Sequence, residues 1–116
     1  MIYKGGCHCG RISFEVEGDL TQVLQCNCSI CTKRGNLLWF VPRPQLHLST
    51  PESDLRTYMF NKKVIQHRFC AICGCAPFGE GANPKTGEKM AAVNIRCLGD
   101  IDMSKIKVIS FDGRSL

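Results

Sequence analysis

The sequence predicts a single, mostly β domain of small antiparallel sheets, and three observations predict it. Apolar and polar residues alternate in short segments, such as Ile12, Phe14 and Val16 in RISFEVEG, which is the period of a half-buried strand. Other apolar runs are brief and stopped by proline, as Pro42 stops LLWFV. Only one stretch, near Ser29 to Lys33, has room for a turn or two of helix, and 116 residues suit one domain with one core, residues 1–116.

Taken in order, RISFEVEG is a strand ending at Gly18, and LLWFV from Leu37 to Val41 is a second. QLHLS follows Pro44 with Leu46 and Leu48 on one face. LRTYMF and VIQHRF flank Asn61-Lys62-Lys63 as the two arms of a hairpin. The segment from Gly79 to Lys89, GEGANPKTGEK, is rich in helix and strand breakers and reads as a loop. MAAVNIRCL and SKIKVISF complete the strand set. There is no repeat, linker or low-complexity tract.

Nine cysteines in a chain of this length are unusual. The N-terminus MIYKGGCHCG lacks the apolar stretch of a signal peptide, and the longest apolar run, Leu37 to Val41, is far short of a membrane span. A cytoplasmic location is therefore expected, where thiols stay reduced and clustered cysteines read as metal ligands. The formal charge of +5 counts every cysteine as neutral. Metal-bound thiolates, four at one site and three at another, would lower it by about three charges. No basic run exceeds two residues, so neither nucleic acid nor membrane is expected as a partner.

The cysteines fall into three clusters. FCAICG, Phe69 to Gly74, has the form of a zinc knuckle, with Gly74 supplying the positive φ of the turn. GGCHCG offers Cys7 and Cys9, which on an extended strand would share a face. Pairing Cys7 and Cys9 with Cys70 and Cys73 gives a closed four-sulfur site that clasps distant parts of the chain. CNCSICTK leaves Cys26, Cys28 and Cys31, three ligands for a metal that takes four. Three protein ligands and a free vertex mark a catalytic zinc; the alternative is that Cys75, Cys97 or His67 closes the site. Otherwise Cys75 and Cys97 are core thiols, and His67, between Ile65 and Phe69 on its strand, is a packed histidine. His8 points away from its flanking cysteines, His47 faces solvent, and Trp39 and Phe40 belong to the core or wall a pocket.

With GGCHCGRISFEVEG, CNCSICTKRG, RFCAICG and VNIRCL in this order, the sequence resembles the glutathione-dependent formaldehyde-activating (GFA) family, which includes the centromere protein V-type domains. The resemblance implies a β-tent of antiparallel sheets. It also implies two Zn2+ per chain, a structural one at Cys7, Cys9, Cys70 and Cys73 and a catalytic one at Cys26, Cys28 and Cys31.

A zinc held by three thiolates suits another soft ligand better than water, so the fourth place is expected to take a substrate thiol. On this reading the protein is a carbon–sulfur lyase acting on adducts of glutathione with formaldehyde or a related aldehyde. Lys33 and Arg34, next to the third cysteine, are the expected partners of glutathione's carboxylates. Two other classes remain open at this stage: a carrier that binds glutathione or aldehyde without turnover, and a zinc-ribbon-like interaction module with both sites closed.

Overall fold

The computed structural model describes residues 1–60 and 65–115. Ten strands and one short helix follow in order: β1 (Ile2–Gly6), β2 (Ser13–Glu17), β3 (Gln22–Cys26), α1 (Ser29–Arg34), β4 (Leu38–Pro42), β5 (Leu46–Leu48), β6 (Leu55–Tyr58), β7 (Gln66–Cys70), β8 (Phe78–Ala82), β9 (Lys89–Asn94) and β10 (Lys107–Phe111). The fold is mostly β, as the alternation predicts. β1, β2 and β5 form a three-stranded sheet, and the other seven form a second in the order β10-β3-β4-β9-β8-β7-β6. Every pairing is antiparallel except β10 on β3, which runs parallel with Phe111 opposite Cys26. An isolated bridge between Gly5 and Leu98 ties one sheet to the other.

The core lies between the sheets because the period-2 pattern turns one face of each strand inward. Phe14 and Val16 on β2, Trp39 and Val41 on β4, and Ala91 and Val93 on β9 are all buried. Phe14 meets Phe78 of β8 edge to face at 5.9 Å, and Tyr3 meets Trp39 at 5.5 Å, geometries that aromatic quadrupoles favour. Trp39 is thus a core residue, whereas Phe40 on the opposite face is exposed. On the polar side, Glu80 accepts from both Arg43 and Arg68, the latter at 2.7 Å.

Two expectations change. The breaker-rich segment from Gly79 is not a plain loop: Phe78–Ala82 pairs with β9, and only its second half turns, closed by Gly87 N–H on the Asn83 carbonyl. Adjacent strands can supply the partners that a glycine-rich segment needs, and here they outweigh its weak propensity. The extended form expected for Cys7 and Cys9 is also replaced, since the chain leaves β1 at Gly6 and turns through His8 and Cys9. The two arms of the expected hairpin, β6 and β7, do pair, with Tyr58 opposite His67; its Asn61-Lys62-Lys63 turn lies outside the described residues.

Candidate metal centres

The knuckle and the first turn face each other. β7 delivers Cys70, the chain turns through Cys73, and Gly74 closes the turn with φ 79° and an N–H on the Cys70 carbonyl. The sulfurs of Cys7, Cys9, Cys70 and Cys73 all lie within 4.8 Å of one another. Cys9 Sγ is 3.6 Å from Cys7 Sγ and from Cys70 Sγ. A disulfide would bring them to about 2.05 Å, whereas Zn–S bonds of about 2.3 Å in a tetrahedron separate sulfurs by about 3.8 Å. The donor set and its spacing therefore fit a tetrathiolate ion.

Backbone donors are already aimed at the sulfurs. Ile12 N–H points at Cys7 Sγ (3.2 Å), and Ile72 and Cys73 N–H point at Cys70 Sγ (3.4 and 3.5 Å). Such contacts spread thiolate charge. N–H groups of Cys75 and Cys9 hold the Cys73 thiol down to about 5, so a thiolate stands ready for a cation. Cys97 packs beside this cluster: burial, then the neighbouring Cys75, Cys7 and Cys73, push its thiol up to about 11. Its Sγ receives Asn94 Nδ2 at 3.7 Å, which makes it a structural thiol.

The second cluster forms where β3 passes into α1. β3 ends at Cys26, Cys28 stands at the helix N-terminus, and Cys31 lies one turn on, buried. The first helical bond, Thr32 N–H to the Cys28 carbonyl at 2.9 Å, and Gly35 N–H on the Cys31 carbonyl at 2.8 Å, fix that turn. The three sulfurs lie within 4.8 Å of one another, and among the described residues no fourth His, Cys, Asp or Glu joins them. Burial, and after it Cys28, pushes the Cys31 thiol upward, the result expected when sulfurs crowd together without a cation between them.

One side of the triad is covered by the segment after β10. Asn27 N–H donates to the Phe111 carbonyl (3.1 Å), Asn27 Nδ2 to Asp112 Oδ1 (3.0 Å), and Arg114 N–H to Asn27 Oδ1 (2.9 Å). Gly113 lies so close that a Cβ there would fall 2.4 Å from Cys26 Sγ. A cavity of about 550 Å³ opens against Cys26 and Cys31, walled by the neutral Gln25, Asn27, Thr32, Asn36 and Ser110 together with Phe111 and Asp112.

The other candidates lie elsewhere. Lys33 and Arg34 are on the other face of α1, in a groove with Tyr58, Phe60 and Phe69, where the Arg34 guanidinium stands 5.8 Å over the Phe69 ring. His67 stacks on Phe60 at 5.2 Å, and its pKa is lowered by burial and then by Arg34. His8 and His47 are exposed, with His47 Nε2 3.5 Å from Glu17. Asn27, Asn36, Asp112 and Gly113 carry no motif that would have singled them out; only the neighbourhood of Asn27 to two cysteines pointed toward the site.

A family model described as glutathione-dependent formaldehyde-activating enzyme matches residues 2–109. The chain belongs to this GFA family. The crystal structure of a Rhodobacter sphaeroides protein has the same fold, with a TM-score of 0.77 at 25% sequence identity, over 91% of this chain and 99% of that one. Family membership accords with the sheets and with the partition of cysteines into a group of four and a group of three. Among the described residues no helix is long and apolar enough to cross a membrane.

Proposed function

We propose that the protein is a zinc-dependent carbon–sulfur lyase of small-thiol adducts of formaldehyde or a related aldehyde, with glutathione as the expected thiol. The observation that carries this reading is the triad of Cys26, Cys28 and Cys31 without a fourth side-chain ligand, beside a cavity large enough for a small molecule. Family membership supports a thiol and an aldehyde as reactants. A second zinc, at Cys7, Cys9, Cys70 and Cys73, would be structural. A cytoplasmic location, with small molecules rather than nucleic acid or membrane as partners, completes the reading.

A zinc ion held by the triad would supply a thiophilic position at which a substrate thiol loses its proton. In the synthetic direction the sulfur–carbon bond forms, the carbonyl π pair moves to oxygen, and the proton lost from sulfur ends on that oxygen. The reverse direction breaks the carbon–sulfur bond and returns free thiol and aldehyde. The chain's own contribution is orientation and polarity. Asn36 accepts from Asn94 Nδ2 through Oδ1 at 3.2 Å, leaving its own amide N–H groups to face the developing alkoxide. Preset donors of this kind stabilise charge that appears during reaction. The Thr32 hydroxyl is spent on the Asn27 carbonyl at 3.0 Å, and the strapping segment after β10 limits water on the Cys26 side.

Cobalt substitution tests the reading. Glutathione added to cobalt-loaded protein is expected to shift the ligand-field spectrum toward four sulfurs, while S-methylglutathione, with no ionisable thiol, leaves it nearly unchanged. Cys31→Ser is expected to fold and to lose the response. A spectrum already showing four sulfurs at both sites, and indifferent to glutathione, refutes the open position. A turnover rate no faster than the uncatalysed reaction would make the protein a carrier instead.

A further inference from the structure

We propose that the pocket beside the cysteine triad takes its thiol as an extended zwitterion of about two to three residues, its ammonium end at Asp112 and its carboxylate end at Arg96. The inference rests on the reading of the triad as a thiol site and adds how the remainder of the thiol is held.

The pocket wall carries one charge, Asp112. Its carboxylate accepts Asn27 Nδ2 on Oδ1 (3.0 Å) and Ser115 Oγ on Oδ2 (2.6 Å). Those bonds fix its position and, Ser115 first, hold its pKa below the usual range, yet each oxygen keeps capacity for a further donor. Arg114, the nearest cation along the chain, offsets only part of that charge. Asp112 is tied to Asn27, at the start of α1.

Arg96 stands at the opposite end. Its Nε donates to the carbonyl of Gly35 at 3.3 Å, and Gly35 is a wall residue that ends α1. The backbone beneath is rigid: Arg96 N–H is held by Asn94 Oδ1 at 3.2 Å, and Ile95 alongside is buried. Among the described residues no carboxylate pairs with Arg96. The terminal nitrogens of its planar fork are therefore left for a carboxylate, the group they fit best.

The separation of the two ends sets the ligand's length. The six residues of α1 rise about 9 Å at 1.5 Å each. An extended chain covers about 3.5 Å per residue, so two to three residues reach from one charge to the other. Cys31 and Thr32 lie between the two ends, where a thiol in the middle of such a molecule falls. A tripeptide thiol with a free amine at one end and a free carboxylate at the other meets every condition. Lys33 and Arg34, on the far face of the helix, are not needed for it.

Calorimetry on the zinc-loaded protein tests this with three ligands: glutathione, its glycyl ethyl ester and its N-acetyl derivative. Exposed charge contacts are modest, so masking either end is expected to weaken binding about fivefold. Arg96→Ala is expected to abolish the preference over the ester alone, and Asp112→Asn the preference over the N-acetyl form alone. Arg96→Lys keeps a charge and is expected to retain part of the preference. If Arg96→Ala weakens all three ligands equally, the arginine serves only the Gly35 carbonyl and the proposal fails. Binding of all three with no preference in the wild type also overturns it while leaving the thiol reading intact. A wild type that binds no thiol, 2-mercaptoethanol included, overturns both.

Discussion

Asn94 offers the most direct test of how the domain is held together. It is the one polar residue among those buried, at 7% exposure, and its four bonds join three stretches of chain. Nδ2 donates to Asn36 Oδ1 (3.2 Å) and to the Ala76 carbonyl (3.1 Å), while Oδ1 accepts from Leu37 N–H (3.4 Å) and Arg96 N–H (3.2 Å). In Asn94→Ala the Leu37 N–H is stranded beside a buried side chain, and the Ala76 carbonyl loses its amide donor. The exposed Arg96 and the half-buried Asn36 can turn to water. Each stranded group costs about 1–3 kcal/mol, less for the long Leu37 bond, so the loss comes to about 3 kcal/mol. A domain of this size converts that into a fall in melting temperature of about 12 °C. Urea unfolding of zinc-saturated protein should show the lower midpoint with an unchanged slope. Asn94→Asp keeps the acceptor but sets a buried carboxylate against two oxygens, and is expected to be at least as damaging. A loss under about 1 kcal/mol for the alanine variant would refute this account of Asn94.

Three further outcomes are expected. Cys73→Ser removes one of four sulfurs from the clasp and should leave the domain unfolded or molten, because metal binding there is folding free energy; an undiminished cooperative melt would show the cluster to be incidental. Gly113→Ala places a methyl 2.4 Å from Cys26 Sγ, so the segment after β10 must move off; the domain should stay folded, with faster amide exchange at Asn27 and Arg114, and protection equal to wild type would contradict the packing described. His67 has a depressed pKa from burial and Arg34. The unfolded chain therefore takes up its proton first as pH falls, and the stability His67 contributes is complete above the unfolded value near 6.5 and lost as pH drops through the folded one. His67→Phe should accordingly lose less stability than wild type between pH 7 and 5.5 in matched denaturant titrations, and parallel profiles would count against it.

The alternating segments were legible because one face of each strand is buried, and Phe14, Val16, Trp39 and Val41 show that face directly. The cysteine partition was legible because metal ligands come in short, fixed spacings that sequence preserves. β1, β3 and β8 were harder to see. IYKGG and FGEGA carry glycines where their neighbours pack close, and QVLQC offers only Val23 as a buried anchor. Their strand form comes from partners supplied by other parts of the chain. The same holds for the pocket: Asp112 and Arg96 reach α1 only through the parallel pairing of β10 with β3 and the turn after β9, and no local pattern encodes either approach. Lys33 and Arg34 are adjacent to Cys31 in sequence yet face a different groove, because successive helical positions diverge by about 100°.

The parallel seating of β10 on β3 has a consequence for how the protein is built on the ribosome. All four sulfurs of the clasp have been synthesised once Cys73 is in place. The triad has its sulfurs earlier still, but its wall waits for Ser110, Phe111 and Asp112, roughly forty residues later, or about 2–8 s at ordinary elongation rates. During that interval the clasp can close around its own ion while Cys26, Cys28 and Cys31 remain open on the side that Gly113 will cover. Vectorial synthesis thus separates the two sites in time as well as in space, and a nascent chain is most exposed to a wrong metal or an oxidant at the triad just before its final strand docks.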